Sequence, residues 1–317
     1  MEGEAVKPMK YASVDDPDLV TDLLDDSNWT LEQKMDGTRG WALLRPCESA
    51  VMVVGLTEQG EPLPLRHTAA TQHLSGIWNG LRHVHAMLSL GESIILDGEV
   101  MIDSGEFRVF DVPLLTTATS LQVSPATYQA RRREVLDHLA QFFTGSVSAV
   151  RQAVTAADKR ALLHDCRSRG VEGVVFKYLR GNYVTTGKRT DQVLKHKFVK
   201  TADVVVIRED RGRNAAGREV GSISFAVVAP PEWSMTPQEQ QSVLLLAPGV
   251  PPLLPMGSCS VIGKPHVELG DVIEVAYLYR PATGGLIQPR MVRTRPDKSP
   301  DQCGMDQFAA YSREVVS

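Results

Sequence analysis

The sequence predicts an α+β protein with two domains, and three observations support this prediction. The first two thirds of the chain alternate short apolar strands with helices of amphipathic spacing. Past about Lys200, strands separated by Gly- and Pro-rich turns replace this pattern, which is typical of a small antiparallel barrel. The length of 317 residues is also too great for one small module. We therefore expect one domain at residues 1–199 and a second at residues 200–317.

The predicted first domain contains both strands and helices. Alternating apolar residues indicate the strands, and apolar residues three or four positions apart indicate the helices. Strands are expected at Trp29–Lys34, Trp41–Leu44, Val51–Leu56, Ser93–Ile102, Phe107–Val112 and Val171–Tyr178, with an Asp36-Gly37 turn after the first of them. Helices are expected at Thr68–Leu90, Ser124–Phe143 and Ala149–Arg169.

The predicted second domain consists mainly of strands. They are expected at Val204–Arg208, Val220–Val228 and Val272–Leu278, with one short helix around Thr236–Leu246. Pro248–Pro255 has the proline density of a loop. Several strands, one helix and many turns in this length predict a small antiparallel β-barrel.

The composition indicates a soluble cytoplasmic protein. Apolar residues make up 43% of the chain, which is enough for buried cores, but no run of about 18 of them predicts a membrane span. Met1–Lys10 lacks the pattern of a secretory signal. The cysteines are scattered without a CxxC pair, so reduced thiols are expected rather than disulfides or a zinc site; they are Cys47, Cys166, Cys259 and Cys303.

The charge distribution leaves nucleic-acid binding open. The net charge of −4 argues against it, but the acidic segment Asp15–Asp26 accounts for much of the negative charge. Each basic cluster is either a solvated face or part of a DNA-binding track. The clusters are Arg131-Arg132-Arg133, Lys188-Arg189, Lys195-His196-Lys197, Arg211–Arg218 and Arg290–Lys298.

A reactive lysine is indicated at the end of the first predicted strand. In Lys34-Met35-Asp36-Gly37-Thr38-Arg39 the lysine stands just before a tight Asp-Gly turn, which directs its amine into a pocket. The arginine returns to the same pocket after the turn. A lysine is a nucleophile when burial or a neighbouring cation lowers its pKa. The alternative interpretation is a hairpin turn with surface charges on both sides.

Four further segments supply groups that a nucleotide site requires. Alone, each has a plain alternative: an ordinary turn, a core aromatic residue, strand-edge charges and a solvated strand face. Neither a Walker A sequence nor a GxGxxG after a strand is present, so side chains would have to hold the phosphates. The segments are Leu96-Asp97-Gly98-Glu99, Phe107–Asp111, Glu172–Lys177 and Lys195-His196-Lys197.

In this fixed order, the segments resemble the motifs of the covalent nucleotidyltransferases, which include ATP-dependent DNA ligases, RNA ligases and mRNA capping enzymes. Lys34, Asp36, Gly37 and Arg39 match KxDGxR, and the four segments above match the DGE, FD, EGhhhK and KxK motifs in turn. The resemblance implies an adenylation domain (nucleotidyltransferase, ATP-grasp-like) with antiparallel sheets and flanking helices.

The resemblance also implies roles for individual residues. Lys34 would attack the α-phosphate of ATP and keep AMP, Phe110 would stack on the base, and Glu32 would contact the adenine amino group. Glu172 and Glu99 would serve a Mg²⁺ (or Mn²⁺) ion. The residues expected to bind ATP or AMP are Glu32, Arg39, Glu99, Phe110, Arg189, Lys195 and Lys197.

A sixth match lies in the second domain. Arg295-Pro296-Asp297-Lys298 resembles the RxDK motif at the end of the family's OB-fold barrel, which closes over the active site and orients pyrophosphate. Arg295–Cys303 and Gly270–Val275 are similar to bacterial end-joining and repair DNA ligases. The resemblance therefore spans Lys10–Cys303 and implies a minimal, monomeric, two-domain DNA ligase of bacterial or phage type acting on nicked duplex DNA.

The sequence departs from the DNA ligase pattern at two places. Thr57-Glu58 stands where a Ser-Arg pair is usual, so a phosphate or sugar contact is missing or reversed in charge. Val193 stands where a tryptophan is often found. Three alternatives stay open: an RNA ligase, a GTP-using capping enzyme, and a degenerate nucleic-acid-binding protein that has lost catalysis.

Overall fold

The computed structural model describes residues 8–45, 52–55, 73–88, 92–101, 104–116, 127–184, 186, 188–231, 234–245, 251–281 and 284–308. The chain divides between Lys197 and Phe198 into two compact units, called unit 1 and unit 2 below. Both contain strands and helices, so the chain is a mixed α+β protein. Within these ranges no helix is long and apolar enough to cross a membrane. Thr57, Glu58 and the start of the helix predicted at Thr68 lie outside the described residues.

Unit 1 contains two five-stranded sheets. One sheet has the order β1-β10-β9-β2-β8 and the other the order β4-β3-β5-β6-β7. Most neighbouring strands are antiparallel, but β1 and β10 are parallel, as are β6 and β7. The strands are β1 Lys10–Ser13, β2 Trp29–Lys34, β3 Thr38–Leu44, β4 Met52–Gly55, β5 Ser93–Met101, β6 Glu106–Thr116, β7 Val147–Ala149, β8 Gln152–Ala153, β9 Gly173–Tyr178 and β10 Arg189–Lys197.

The short connection between β2 and β3 passes from one sheet to the other. Because the two strands belong to different sheets, this segment is not a hairpin turn, and that alternative interpretation is wrong. Gly37 lies so close to β5 that an added Cβ would be 2.2 Å from the carbonyl oxygen of Val100. Lys34 therefore ends one sheet, while Arg39 stands near the start of a strand in the other.

The helices of unit 1 cover the sheets. Ile77, Leu81 and Val84 of α2 pack into a core with apolar residues of β3, β5 and β6. A π-helical segment, Arg131–Leu136, joins α3 to α4. The helices are α1 Pro17–Asp25, α2 Leu74–Met87, α3 Tyr128–Ala130, α4 Asp137–Ala140 and α5 Ala156–Ser168.

The helix predicted over Ala149–Arg169 begins later than expected. The Thr155 hydroxyl accepts a hydrogen bond from the Asp158 backbone N–H and so caps α5 at its start. The residues before this cap are extended, because β7 pairs with β6 and β8 pairs with β2. The first part of that prediction was therefore wrong.

Unit 2 contains one antiparallel five-stranded sheet. Its strands pair in the order β13-β12-β11-β14-β15, and over the described residues no pairing joins β13 to β15 into a closed barrel. Apolar side chains from these strands form a separate core. The elements are β11 Lys200–Arg213, β12 Glu219–Val228, α6 Pro237–Ser242, β13 Leu253–Ser260, β14 Val272–Tyr277 and β15 Arg290–Thr294.

The proline-dense segment was only partly predicted correctly. Leu253 and Leu254 are buried and begin β13, although the sequence predicts a loop as far as Pro255. β13 is an outer strand of the sheet that pairs with β12 along its length and with Leu244 at its first residue, and its register shifts beside Pro255. A proline is tolerated there because an outer strand with a bulge does not need every backbone N–H.

Candidate active site

A cavity of about 380 Å³ opens in unit 1 where β2 of one sheet approaches β3, β5 and β6 of the other. Seven of the residues predicted to bind a nucleotide or react with it line this cavity: Glu32, Lys34, Arg39, Glu99, Phe110, Arg189 and Lys195. Pro8, Lys10, Tyr11, Gln33, Met35, Val175 and Lys177 complete the lining. The fold thus gathers residues that are far apart in the sequence.

Glu172 lies between two lysines beside the cavity. Its Oε2 atom is 2.5 Å from Nζ of Lys34, and its Oε1 atom is 2.8 Å from Nζ of Lys197. Gly173 pairs in register with both lysines, one on each neighbouring strand, which explains why Glu172, the residue before it, can reach both. A Cβ on Gly173 would lie 2.2 Å from the His196 carbonyl oxygen, so only glycine fits there. Glu172, Lys34 and Lys197 therefore form one network of ion pairs.

The cations around Lys34 make this end of the cavity strongly positive. Burial lowers the pKa of Lys195, and the nearby charges of Lys197, Lys34 and Arg189 lower it further. Glu172 balances only part of this charge, so a further anion is favoured here. A polyphosphate is an anion that suits such a cluster.

Arg39 is already paired inside the protein. Its Nε and Nη2 atoms donate to the two carboxylate oxygens of Asp97 at 3.0 and 2.6 Å, and Nη1 donates to the Met9 carbonyl oxygen at 2.6 Å. The Tyr183 hydroxyl donates to Asp97 at 2.6 Å. The guanidinium also lies 5.1 Å from the Tyr11 ring centroid. Arg39 thus stiffens the cavity wall, and Asp97 offsets much of its charge.

The other end of the cavity is formed by Phe110 and Glu32. The Phe110 ring packs edge-on against Tyr11, with the centroids 6.5 Å apart. Lys177 is buried beneath the ring, where Nζ donates to the Phe110 carbonyl oxygen at 2.9 Å and lies 2.7 Å from Oε2 of Glu32. The Tyr128 hydroxyl donates to Oε1 of Glu32. This end offers a flat apolar surface beside a fixed carboxylate.

The basic cluster Arg131-Arg132-Arg133 does not form a surface track. Arg131 is buried and donates to both carboxylate oxygens of Asp111, at 2.7 and 3.1 Å. Arg132 is also buried and donates to Asp137 at 2.7 Å. Neither a solvated face nor a DNA contact describes these two arginines, because both are buried and paired with carboxylates of the same unit.

Glu99 and Glu172 are the two carboxylates predicted to hold a metal ion. Burial raises the pKa of Glu99 to about 7, although Lys34 and Arg39 partly oppose this shift. Among the described residues, no group of three or more His, Cys, Asp or Glu side chains could hold a metal by itself. Mg²⁺ commonly takes one or two carboxylates together with phosphate oxygens and water. The pair therefore fits a Mg²⁺ ion that binds jointly with a phosphorylated ligand.

The RxDK residues come together within unit 2. Asp203 accepts a hydrogen bond from Nη1 of Arg295 at 2.8 Å and forms an ion pair with Lys298. Asp297 binds the same arginine through both carboxylate oxygens, at 3.0 and 2.9 Å, and this bond lowers the pKa of Asp297 to about 2. The Asp203 backbone N–H donates to Oε1 of Gln307 at 2.8 Å. No motif singled out Asp203 or Gln307.

Several residues in and behind the cavity were not found from the sequence. Tyr11 lines the cavity, Tyr128 contacts Glu32 and Tyr183 contacts Asp97, but none of the three belongs to a motif. Lys177 was visible as the last residue of the EGhhhK segment, but its burial under Phe110 was not predicted.

The comparisons with known proteins show the fold. No family model and no curated protein matches the sequence. A solved structure from a study of Lig E DNA ligases shares 14% identity over 92% of this chain and 100% of that one, with a TM-score of 0.55. The solved Pmar-Lig_PreS3 chain shares 17% identity over 92% of this chain and 67% of that one, with a TM-score of 0.55.

A third solved structure is the ligase domain of M. tuberculosis LigD. It shares 21% identity over 94% of this chain and 97% of that one, with a TM-score of 0.46. The two higher TM-scores show that the chain shares the fold of the structure from the Lig E DNA ligase study and of the Pmar-Lig_PreS3 chain, as the resemblance predicted.

Proposed function

We propose that this protein is an ATP-dependent DNA ligase that carries AMP on Lys34 and seals nicks between a 5′-phosphate and a 3′-hydroxyl. One observation carries the proposal: Lys34 lies between a cluster of cations and an aromatic surface within one cavity. A nucleoside triphosphate has the matching order of charged and flat parts. The fold shared with solved DNA ligases supports this interpretation.

The first step joins AMP to the protein. The unprotonated amine of Lys34 attacks the α-phosphorus of ATP, so a P–N bond forms as the P–O bond to pyrophosphate breaks. Glu172 orients the amine through its 2.5 Å contact. Lys195, Lys197 and Arg189 stabilise the charge that builds up on the phosphate oxygens.

The next two steps transfer AMP and seal the nick. The 5′-phosphate of the nick attacks the lysyl-AMP phosphorus, which returns the amine of Lys34. The 3′-hydroxyl then attacks the activated 5′-phosphate, a phosphodiester bond forms, and AMP leaves. The same cations serve both steps, because each passes charge onto phosphate oxygens near Lys34.

Glu99 and Glu172 would hold Mg²⁺ or Mn²⁺, which would neutralise phosphate charge and assist displacement. Holding the ion requires Glu99 to lose its proton, and the pKa of about 7 makes this possible near neutral pH. Glu172 already contacts two lysines, so its carboxylate can give up one of them and bind the metal ion instead.

Phe110 and Glu32 select the base. The Phe110 ring provides the stacking surface, and the Glu32 carboxylate accepts a hydrogen bond from the amino group of adenine. Guanine presents a carbonyl oxygen at the same position, which a carboxylate repels. ATP is therefore the expected nucleotide rather than GTP.

We propose further that residues 1–199 are the adenylation domain and that residues 200–317 are an OB-fold domain. In this second domain Arg295, Asp297 and Lys298 would orient the departing pyrophosphate. The ion pairs around Asp203 support this role because they hold the arginine and lysine in a fixed arrangement. We expect the protein to act as a monomer in the cytoplasm on nicked duplex DNA.

The test is sealing of a nicked duplex with ATP, with DNA or RNA strands on each side of the nick. The proposal expects sealing of the all-DNA nick, no use of GTP, and loss of activity in Lys34→Ala. The same variant should still seal a nick that already carries AMP on its 5′-phosphate, because that step does not need the amine as a nucleophile.

Other outcomes would point to the alternatives. Preferred sealing of RNA would indicate an RNA ligase, and labelling by GTP alone would indicate a capping enzyme. Binding of nicked DNA without any nucleotide adduct would indicate a protein that has lost catalysis. Each of these results would overturn the DNA ligase proposal.

A further inference from the structure

A helical turn that belongs to none of the matched motifs stands behind the base end of the cavity. Tyr128 of α3 and Arg131 and Arg132 of the π-helical segment are all buried. They point towards the cavity strands: Tyr128 contacts Glu32, and Arg131 binds Asp111, the neighbour of Phe110. The turn thus braces both groups that would contact a base.

Tyr128 and Lys177 together fix the Glu32 carboxylate. One oxygen accepts from the Tyr128 hydroxyl and the other lies 2.7 Å from Nζ of Lys177. Gln152 Nε2 donates to the Tyr128 oxygen at 3.2 Å, so the hydroxyl proton is left to point at Glu32. A carboxylate has about four acceptor sites, so roughly two remain for a ligand in the cavity.

We propose that Tyr128 is the positioning residue for base selection: it holds Glu32 so that its remaining lone pairs accept from an amino group at position 6 of a purine. This inference rests on the proposed function. Without the Tyr128 hydroxyl only Lys177 would stay in close contact, since Nη1 of Arg132 lies 3.8 Å from Oε1 of Glu32. The carboxylate could then rotate about its last bond, and its free lone pairs would no longer point one way. The loss would then fall on selectivity and affinity rather than on the chemistry at Lys34.

The test compares three nucleotides in lysyl-nucleotide formation: ATP, GTP and purine riboside triphosphate, which carries only hydrogen at position 6. In the wild type we expect ATP to exceed the 6-hydrogen analogue in kcat/KM by at least about tenfold, the order that a hydrogen bond to a charged group provides. Tyr128→Phe should shrink this ratio by about tenfold, through a higher KM for ATP with kcat changed less than about threefold.

Tyr183→Phe is the matched control. Tyr183 is also a phenol that donates to a carboxylate beside the cavity, although it is only partly buried and its partner is Asp97 instead of Glu32. In this variant the ratio of kcat/KM for ATP to kcat/KM for the 6-hydrogen analogue should equal that of the wild type, even if the rate of lysyl-nucleotide formation changes. If Tyr128→Phe is too unstable to purify, Gln152→Leu tests the same contact more gently and should shrink the ratio in the same direction.

Two failures are distinguishable. An unchanged ratio in Tyr128→Phe, or in Gln152→Leu where it replaces that variant, overturns the role of Tyr128 while lysyl-AMP still forms. An equal loss in Tyr183→Phe also overturns it, because the effect would then be a general loosening of the wall. If the wild type forms no adduct with any of the three nucleotides, the proposed function itself fails.

Discussion

Two carboxylates at the two ends of the cavity have similar surroundings but different partners. Glu172 and Glu32 are both almost fully buried, at 3% and 2% exposure, and each contacts a lysine within 2.5–2.8 Å. Lys177, the partner of Glu32, is itself only 2% exposed. Lys34 and Lys197, the partners of Glu172, are 22% and 25% exposed.

The difference in exposure separates a permanent ion pair from an exchangeable one. A buried charge without its partner is costly, so the pair of Glu32 and Lys177 stays closed. A lysine that reaches solvent can leave its carboxylate for a phosphate at little cost. The same pair of residue types thus builds a fixed wall at the base end and a reactive group at the phosphate end.

The largest expected effect is on stability at the base end. Lys177→Met should lower the free energy of unfolding by about 3–5 kcal/mol, because it leaves Glu32 buried without its close cation, and Arg132 is 3.8 Å away. Lys197→Met is the matched change at the phosphate end and should cost less than about 1 kcal/mol, since Glu172 keeps Lys34. Urea denaturation measures both. Equal losses of unfolding free energy in the two variants would show that the ion pairs at the two ends of the cavity do not differ in this way.

The second prediction concerns Glu99 and pH. The pKa of Glu99 is raised from 4.5 to about 7 by burial, so between these values the unfolded chain releases a proton that the folded protein keeps. Stability from this group is therefore full below about pH 4.5 and falls as pH rises to about 7, by up to about 3 kcal/mol.

Glu99→Gln removes this group without changing its size. From about pH 5 to about pH 8, the urea midpoint should fall further in the wild type than in the variant. Only the wild type has the Glu99 proton to lose over this range. Parallel midpoints in the two proteins would show that Glu99 titrates normally. Glu99 would then behave like an exposed carboxylate.

A smaller effect is expected on the rate of lysyl-AMP formation. Glu172→Gln removes the charge that orients Lys34, and the rate should fall by roughly 10–100-fold, while stability changes less than in Lys177→Met. Glu106→Gln is a suitable control, because Glu106 pairs with Arg108 in the same unit. Single-turnover labelling with ATP measures the rate. A normal rate in Glu172→Gln would show that the ion pair of Glu172 with Lys34 does not contribute to lysyl-AMP formation.

Much of the fold follows from local patterns, and the errors have local causes. β2 was predicted with the bounds Trp29–Lys34 that it has, because its apolar pattern ends at the lysine. β8 is only two residues long and lies before a capped helix, so its residues resemble the helix that follows. β13 was hidden by the prolines that surround its first residues.

The site was predictable only as far as motifs mark it. Lys34, Glu99 and Phe110 line one cavity although 76 positions separate the first from the last. The contacts of Tyr128 with Glu32 and of Tyr183 with Asp97 join residues 96 and 86 positions apart, and no spacing in the sequence announces them. Such pairs depend on tertiary packing, which a pattern of residue types does not contain.

The most direct test of the account is the position of the nucleotide. After incubation with ATP and Mg²⁺, the protein is digested, and the peptides are examined by mass spectrometry for the mass of one adenylate. We expect the adenylate on the peptide that contains Lys34, attached through an acid-labile P–N bond, and none in Lys34→Ala. An adenylate on another residue, or an undiminished adduct in Lys34→Ala, would contradict it.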